Sequence, residues 1–261
     1  MQTLHIERRG SVAWVAMDRP EVFNAFDETM IAELDAAFGE LSVDASVRAI
    51  VLTGHGKAFS AGADLQWMRR AAEAAPEANL ADARRLAAML WRIASCPKPT
   101  LARVNGLALG GGVGLTCACD IAIAVESAQF AISEARFGII PATIGPYVIG
   151  AIGKRLAKRL ALRADRIGAD DALRFGMLHR VVAADQLDQA IEDELAALLA
   201  NGPQAQREIK ALIDALPVGD VSEPVREATA QAITRVRATA EAREGFAAFL
   251  AKRSPNWGDA S

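Results

Sequence analysis

Residues 104–120 read Val-Asn-Gly-Leu-Ala-Leu-Gly-Gly-Gly-Val-Gly-Leu-Thr-Cys-Ala-Cys-Asp, and they follow an apolar run, Thr100–Val104, that has the pattern of a buried strand. Three consecutive glycines, Gly110–Gly112, lead into small and apolar residues that can open a helix. A glycine-rich turn between a strand and a helix exposes backbone N–H groups, which bind or stabilise a negatively charged oxygen. The segment therefore predicts a site for an anionic oxygen at this turn.

Two phosphate-binding interpretations of these glycines fail. The phosphate loop of nucleotide-binding proteins ends in Gly-Lys-Ser or Gly-Lys-Thr, whereas Gly112 precedes Val113. The dinucleotide fingerprint G-x-G-x-x-G, begun at Gly112, would need a glycine where the chain has Cys117. A purely structural interpretation, in which the glycines let a helix pack closely on a strand, stays open at this point.

Two further segments bear on the same site. Residues 57–68 follow the predicted strand Ala49–Thr53, and small residues at positions 60–63 would let a ligand lie against the backbone. Residues 130–141 place one acid, Glu134, between apolar neighbours. Taken by itself, Glu134 is most simply interpreted as a solvated acid at a helix start, capped by Ser133.

Taken in order along the chain, these segments resemble the crotonase, or enoyl-CoA hydratase/isomerase, superfamily. The resemblance covers nearly the whole chain and rests on short motifs at Asp18-Arg19-Pro20, Asn24-Ala25, Ala61-Gly62-Ala63-Asp64, Asn105-Gly106, Gly110-Gly111-Gly112, Glu244-Gly245-Phe246 and Phe249–Arg253. It implies an α/β fold built as a crotonase-type spiral of ββα turns with a C-terminal α-helical oligomerisation region. The implied boundaries are 1–195 for the core with the acyl-CoA site and 196–261 for the helical trimerisation region.

The resemblance also implies the site. The backbone N–H groups of Ala63 and Gly111 match an oxyanion hole for the thioester carbonyl oxygen of an acyl-CoA, and Glu134 matches a catalytic acid/base. Two preorganised donors stabilise the enolate that forms when a proton is added or removed beside that carbonyl. The positions expected to bind the substrate are Ala25, Ala61, Asp64, Leu65, Met68, Gly114, Ser133, Phe137 and Lys252. Lys252 matches a position that contacts the CoA phosphate from a neighbouring subunit, and an ordinary solvated lysine is the alternative.

The chain departs from the family pattern at one catalytic position. Hydratases of the family usually carry two glutamates, and the position of the first is Gly114 here. A single acid can still act as base and then as acid, so three functions stay open. They are a hydratase of a 2,3-enoyl-CoA, an enoyl-CoA isomerase that needs one acid, and a non-catalytic acyl-CoA- or RNA-binding paralogue. The retained Glu134 and the formal net charge of −3 favour an enzyme over an RNA-binding protein.

A bacterial group within the superfamily also lacks the first glutamate. The chain is similar to that group at Ala63–Met68, Gly111–Leu115, Ser133–Gly138 and Pro141–Ile144. The group is associated with 3-methylglutaconyl-CoA hydratases of leucine breakdown and with related hydratases of terpenoid breakdown. The resemblance therefore implies a β-branched or carboxylated enoyl-CoA, and the hypothesis is that Gly114 frees space for the β-branch. Arg136 is interpreted as a helix-surface residue rather than as a ligand of a substrate carboxylate.

The composition excludes several other classes of protein. Of the 261 residues, 52% are hydrophobic and 23% are charged, which is ordinary for a globular chain. Three cysteines make no disulfide framework and no Cys/His spacing resembles a zinc site, so we expect no metal and no cofactor beyond the CoA thioester substrate. The N-terminus has no apolar signal region, and no apolar run approaches the ~18 residues of a membrane span. We expect a cytoplasmic protein that binds neither nucleic acid nor membrane, and the resemblance adds a homotrimer or dimer of trimers.

Periodicity predicts the main elements of the core. The predicted strands are Ser11–Met17, Ala49–Thr53, Thr100–Val104 and Ile121–Val125. Asp27 is predicted to cap a helix. The buried face of that helix would carry Met30, Ile31, Leu34, Phe38 and Leu41.

Helical patterns predominate in the rest of the chain. A helix is predicted around Ala81–Ala94, and the Ala-rich stretch Ala71–Ala83, interrupted by Pro76, is predicted to be a mobile loop beside the active site. After about Ala183 the pattern is mostly helical, with a break at Gly202-Pro203. One last long helix is predicted from about Glu223 to Arg253, with an apolar stripe that needs a partner.

Overall fold

The computed structural model describes residues 1–219 and 221–258, which form two compact units. The first unit comprises Met1–Cys96 and Thr100–Glu194, and the second comprises Pro97–Pro99 and the chain from Leu195 onward. Within the described ranges, no helix combines the length and the apolar character that a membrane crossing requires.

The strands of the first unit form two sheets. They are β1 (Leu4–Arg9), β2 (Val12–Met17), β3 (Ala49–Gly54), β4 (Ala58–Ser60), β5 (Thr100–Val104), β6 (Leu107–Leu109), β7 (Ile121–Val125), β8 (Gln129–Ala131), β9 (Ile167–Gly168) and β10 (Arg180–Val182). The six-stranded sheet has the order β1-β2-β3-β5-β7-β10 and the four-stranded sheet the order β4-β6-β8-β9. Only the β1/β2 and β8/β9 pairs are antiparallel among the described pairs. All four strands predicted from periodicity are confirmed.

The helices of the first unit follow from the same periodic patterns. They are α1 (Glu28–Val43), α2 (Leu65–Glu73), α3 (Pro76–Ala94), α4 (Gly111–Ala118), α5 (Gly145–Arg163) and α6 (Ala169–Phe175). The Asp27 carboxylate caps α1 by accepting hydrogen bonds from the N–H groups of Thr29 and Met30, as predicted. The predicted apolar face of α1 is buried, and α1 packs against α3.

The strands and helices alternate as a spiral of ββα turns, which confirms the predicted fold class. The strand pairs β3/β4, β5/β6 and β7/β8 each give one strand to the six-stranded sheet and the next to the four-stranded sheet. Each pair is followed by a helix, which is α2, α4 and α5 in turn. β4, β6 and β8 run parallel to one another, so the turns that follow these three strands lie at the same end of the four-stranded sheet. Those three turns carry the candidate catalytic groups.

The predicted loop over Ala71–Ala83 is wrong, because most of that stretch is helical. α2 continues to Glu73, and α3 begins at Pro76, well before the predicted start near Ala81. Proline is favoured at the first position of a helix, since the N–H that it lacks has no partner there. Pro76 therefore begins a helix in the middle of a stretch that we expected to be irregular.

The second unit is helical. α7 (Leu187–Leu199) leads into it, and α8 (Pro203–Ala215), α9 (Glu223–Arg237) and α10 (Ala240–Leu250) follow. The predicted break at Gly202-Pro203 is confirmed. The single helix predicted from Glu223 to Arg253 is wrong, because Thr239 starts a new helix by accepting a hydrogen bond from the N–H of Ala242.

A buried acid organises this second unit. Glu241 is 4% exposed, and its carboxylate accepts hydrogen bonds from the N–H groups of Gln204 and Ala205 at 2.8 and 2.7 Å. These are N–H groups at the start of α8 that have no partner within the helix. α10 therefore fixes the N-terminus of α8. The predicted role of this unit in trimerisation stays a prediction.

Candidate active site

The first wall of the site is the turn between β4 and α2, and a buried asparagine holds it. Asn24 is fully buried in a left-handed conformation, with φ of 54°. Its side-chain amide donates to the carbonyl oxygens of His55 and Ala58, both at 2.9 Å. The Ser60 hydroxyl donates to the Asn24 carbonyl at 2.8 Å and accepts from the Gly62 N–H at 3.1 Å. This network fixes the backbone immediately before Ala63.

The Ala63 N–H lies outside the backbone pairing of its turn. Ala63 forms an isolated parallel bridge with Phe26. The bridge uses the Gly62 carbonyl, which accepts from Phe26, and the Asp64 N–H, which donates to Phe26. The Ala63 N–H takes no part in it and is a candidate donor to a ligand.

The second wall is the N-terminus of α4. The Gly110 N–H donates to the Ala131 carbonyl at 2.8 Å, and φ and ψ of 48° and −115° at Gly110 turn the chain into the helix. Such a positive φ favours glycine. Because α4 begins at Gly111, the Gly111 N–H has no partner within the helix. Glycine is also required at position 111 itself, since a Cβ there would lie 2.0 Å from the Phe26 ring.

The two walls meet. A Cβ placed on Gly62 would lie 3.0 Å from the Gly111 nitrogen and 2.5 Å from the Leu109 carbonyl oxygen. The turn that carries Ala63 therefore packs against the start of α4, and Ala63 and Gly111, whose N–H groups have no partner assigned among the described residues, line the same cavities. This is the donor arrangement that stabilises a developing oxyanion.

Glu134 faces this pair of donors. It follows β8 at the start of a short 3-10 helix, and its Oε1 would lie 3.3 Å from a Cβ on Gly110. Its Oε2 is buried and has no hydrogen-bond partner among the described residues. Burial raises the pKa of the Glu134 carboxyl, although the backbone N–H groups of Glu134 and Ser133 act in the opposite direction. A half-buried acid with a raised pKa and a free oxygen is suited to proton transfer.

The Ser133 side chain does not cap the 3-10 helix that begins at Glu134. No side-chain capping bond forms at the start of the 3-10 helix. The Ser133 hydroxyl points toward the same place as the Glu134 carboxylate, since it would lie 3.4 Å from a Cβ on Gly110. The interpretation of Glu134 as a surface acid held by a Ser133 cap is therefore wrong.

Asp64 has a structural role in this site. Its carboxylate caps α2 through the N–H groups of Gln66 and Trp67, and it pairs with Arg19 at 3.1 Å. Burial acts to raise the pKa of the Asp64 carboxyl, but the hydrogen bonds from Trp67 and Gln66 and the Arg19 guanidinium outweigh it, so that the pKa lies below its ordinary value. Asp64 is therefore a fixed anion that positions the Ala63 turn.

Two cavities meet at these groups. The first, of about 510 Å³, has Arg136 and Arg166 in its wall, and the second, of about 570 Å³, lies between α2, α3 and the segment after Glu134. Both are lined by Ala63, Leu65, Met68, Gly111, Glu134, Phe137 and Ile139. We call them the first cavity and the α2–α3 cavity. The donors and the acid therefore stand where the two cavities join.

The structure brings most of the predicted site residues together. The first cavity is lined by Ala25, Ala61, Ala63, Asp64, Leu65, Met68, Gly111, Ser133, Glu134 and Phe137. Arg136 also lines it, is exposed, and donates from Nε to the Ala164 carbonyl at 3.0 Å. Lys252 belongs to the second unit and follows α10 with φ of 54°, and its predicted contact with CoA stays a prediction.

Known proteins are similar to this chain in sequence and in architecture. The family model for enoyl-CoA hydratase/isomerase matches residues 7–260. The crystal structure of an enoyl-CoA hydratase from Shewanella pealeana is 42% identical, with a TM-score of 0.94 over 98% of this chain and 96% of that one. The chain belongs to the enoyl-CoA hydratase/isomerase family.

Relatives within the enoyl-CoA hydratase/isomerase family differ in their substrates. The short-chain-enoyl-CoA hydratase of Clostridium acetobutylicum is 32% identical over 95% of this chain and 94% of its own length. The carnitinyl-CoA dehydratase of Escherichia coli K12 is 34% identical over 98% of each chain. Membership of the enoyl-CoA hydratase/isomerase family makes the chain an enzyme of acyl-CoA thioesters, and the expected oxyanion role of the Ala63 and Gly111 N–H groups stays a prediction.

The expected role of Gly114 needs a correction. Gly114 is buried within α4, and a Cβ there would lie 2.3 Å from Ile144 Cγ2. The space beside Gly114 is thus filled by Ile144, which itself lines the α2–α3 cavity. Gly114 does not leave open room for a β-branch, and Ile144 is the residue that shapes this wall.

Sequence patterns missed four contributors to the site. Asn24 and Ser60 hold the Ala63 turn, but each was visible only as part of a motif of small residues. Ile144 faces α4 across 30 positions of sequence, and no local signal connects it to Gly114. A cation in the α2–α3 cavity, Arg69, also lay outside every motif.

Proposed function

We propose that the enzyme hydrates the double bond of a 2,3-enoyl-CoA whose acyl group is β-branched or carboxylated, as in 3-methylglutaconyl-CoA. The observation that supports hydration most directly is the free Oε2 of Glu134, buried at the junction of the two cavities beside the paired N–H groups. A substrate carbonyl placed on those donors brings its C2–C3 double bond near the carboxylate.

One acid suffices for the proposed reaction. Ionised Glu134 takes a proton from water as the water oxygen bonds to C3. The electron pair of the double bond moves toward the thioester, and negative charge builds on its oxygen, where the Ala63 and Gly111 N–H groups stabilise it. The loss of one such donor typically costs about 2.7–4 kcal/mol of transition-state stabilisation. The protonated Glu134 then delivers its proton to C2, which completes the addition of one water molecule.

The two cavities divide the substrate in this proposal. Arg136 and Arg166 give the first cavity two cationic groups that suit the CoA phosphates. The α2–α3 cavity then receives the acyl group, with Ile144, Met68 and Phe137 in its wall. No cofactor or metal takes part in this scheme, because the thioester itself supplies the electron sink.

Isomerisation is the second candidate, and the filled space beside Gly114 favours it. An isomerase moves a proton between two carbons through the same enolate and needs one acid, and Ile144 leaves no room for a second acid at position 114. The two reactions differ in product, because only hydration yields a 3-hydroxyacyl-CoA.

The deciding experiment is turnover with product identification by mass spectrometry. Crotonyl-CoA, 3-methylglutaconyl-CoA and a 3-enoyl-CoA would be offered to the parent enzyme and to Glu134→Gln. Formation of 3-hydroxyacyl-CoA by the parent, and its loss in Glu134→Gln, supports the hydratase. Double-bond migration without hydration would replace the hydratase by the isomerase.

A further inference from the structure

The α2–α3 cavity is not uniformly apolar. Its wall includes four side chains that can interact with a polar acyl group: Arg69, Asn79, Asp82 and Thr143. Glu134 stands at its inner end, where this cavity joins the first one. The charges along the cavity therefore bear on which acyl groups it accepts.

Arg69 belongs to the face of α2 that forms the cavity wall. Leu65, Met68, Arg69 and Ala72 recur at helical spacing, and all four line the cavity. Leu65 and Met68 also line the junction beside Ala63 and Glu134. Arg69 stands one turn beyond Leu65, about 6 Å further along the helix axis, since an α-helix rises ~1.5 Å per residue. Arg69 lines the α2–α3 cavity but is not among the lining residues of the first cavity, which places it away from the junction where the donors and Glu134 stand.

The neighbouring charges have partners, whereas Arg69 has none among the described residues. Arg70 donates to both carboxylate oxygens of Glu28 at 2.9 Å. Asp82 pairs with Arg85 at 2.6 Å, which offsets the negative charge of Asp82 in the wall. The Arg69 side chain makes no hydrogen bond or ion pair within the described ranges. An arginine left in a ligand cavity without an anion is a binding group for one.

We propose that Arg69 binds the free carboxylate at the far end of the acyl group and selects CoA thioesters of unsaturated dicarboxylic acids. This inference rests on the proposed function, and it narrows the acyl group to one that ends in a carboxylate. A guanidinium matches a carboxylate with two parallel N–H donors, and the Thr143 hydroxyl and the Asn79 amide can add donors in the same cavity.

A matched pair of substrates isolates this interaction. Glutaconyl-CoA differs from crotonyl-CoA in one carboxylate, with the thioester, the double bond and the CoA unchanged. The measurement is kcat/KM for hydration of each by the parent, by Arg69→Met and by Arg70→Met. Methionine keeps an unbranched apolar stem like that of arginine and removes the guanidinium, and Arg70→Met loses a charge from the same helix outside the cavity.

The parent should prefer glutaconyl-CoA. Arg69→Met should lower the ratio of the two kcat/KM values by about tenfold or more, as expected for a lost hydrogen-bonded charge pair. The loss should fall on glutaconyl-CoA, with crotonyl-CoA nearly unchanged, and Arg69→Lys should restore part of the ratio. Arg70→Met should leave the ratio within about twofold of the parent, since it breaks an exposed pair.

Three results would overturn the inference. They are a parent without preference for glutaconyl-CoA, an unchanged ratio in Arg69→Met, and an equal loss on both substrates, which would assign Arg69 to the CoA phosphates instead. Binding measured by calorimetry separates this inference from the proposed function. If the parent hydrates neither substrate, the proposed function fails, while tighter binding of glutaconyl-CoA that disappears in Arg69→Met still supports carboxylate recognition.

Discussion

Ile144 packs directly over Gly114, so that a Cβ at position 114 would lie 2.3 Å from Ile144 Cγ2. This contact joins the helix that presents the Gly111 N–H to the segment that follows Glu134. It also fills the space beside position 114, to which the family resemblance assigns the first glutamate of hydratases. The wall of the α2–α3 cavity and the start of α4 are therefore one packed unit.

We expect Gly114→Ala to lower the free energy of unfolding by about 1–3 kcal/mol through overpacking against Ile144. Ile144→Ala alone should cost about 2–4 kcal/mol through the cavity that it leaves. The double variant should be more stable than the sum of the two losses predicts, because the smaller residue at 144 makes room for the larger one at 114. Urea unfolding of all four proteins checks this, and strict additivity would show that the two positions do not share the space.

Glu134→Gln should reduce kcat by about 10²–10⁴-fold, the usual contribution of a positioned acid/base. Binding of a 3-hydroxyacyl-CoA should change far less, since glutamine keeps the shape of the side chain. Stopped assays with calorimetry on the same samples measure both quantities. A kcat within a few-fold of the parent would remove Glu134 from the chemistry.

The pH dependence of kcat/KM for the parent enzyme should reflect the raised pKa of the Glu134 carboxyl. Because the proposed base is the ionised carboxylate, kcat/KM for hydration should fall as the pH drops through that pKa, at a pH above the ordinary range of a glutamate. The residual activity of Glu134→Gln should lack this acidic limb. A limb of the same midpoint in both proteins would assign it to another group.

The same pKa shift predicts a gain in stability for Glu134→Gln. A carboxyl whose pKa is raised in the folded state contributes stability below its unfolded pKa, and this contribution is lost as the pH rises through the folded pKa. At neutral pH the parent should therefore have a lower Tm than Glu134→Gln, and the difference should shrink in acid. Glu126→Gln, which makes the same substitution at an exposed site, is the matched control. A Tm difference that stays constant from acid to neutral pH would contradict this account.

Asn24→Ala should destabilise the protein by about 1–3 kcal/mol, because it removes the hydrogen bonds that the buried Asn24 amide donates to the carbonyl oxygens of His55 and Ala58. The substitution should also lower kcat, because the hydrogen bonds among Asn24, Ser60 and Gly62 hold the backbone immediately before Ala63. Asn105→Ala is the control. The Asn105 amide donates to the Gly56 carbonyl at 3.0 Å and to the Ala58 carbonyl at 3.5 Å, which are longer and more exposed bonds than those of Asn24, so their loss should cost less. Equal losses in the two variants, measured by urea unfolding, would argue against a special role for Asn24.

The exposed apolar residues of α10 should form a subunit contact. Phe249 and Leu250 are 82% and 81% exposed in the single chain, which is unusual for large apolar side chains on one helix end. Phe249→Glu should shift the mass measured by light scattering from the proposed trimer toward the monomer. Val43→Glu, at an apolar position 83% exposed in the first unit, should not. A parent that is monomeric would refute the contact.

Local chemistry explains why parts of the fold could be predicted. The Asp27 cap and the strand Ala49–Gly54 depend on neighbours in sequence, so their patterns were sufficient. Pro76 was misinterpreted because proline both ends and begins helices, and only the surrounding packing decides between the two. The apolar periodicity after Glu223 is continuous, so it gave no sign that Thr239 begins a second helix.

The site residues that belong to sequence motifs could be predicted, whereas contacts between residues far apart in the sequence could not. Glu134, Ala63 and Gly111 belong to segments that the family resemblance identifies, and the structure brings all three to one junction. The contact of Ile144 with Gly114 and the unpaired state of Arg69 depend on which side chains meet after folding. Those are properties of tertiary packing, which spacing along the chain does not encode.

The proposed oxyanion donors are main-chain atoms, and this shapes how the enzyme can lose or alter its activity. Every amino acid except proline supplies the same N–H, so almost no point mutation can delete the donor at position 63 as a chemical group. A mutation can instead lower activity by displacing a donor. A larger residue at position 111 would clash with Phe26, and the loss of the Asn24 hydrogen bonds would let the backbone before Ala63 move. Substitutions of the α2 side chains or of Ile144 can consequently change which acyl groups the enzyme prefers, while the two main-chain donors that stabilise the negative charge stay unchanged.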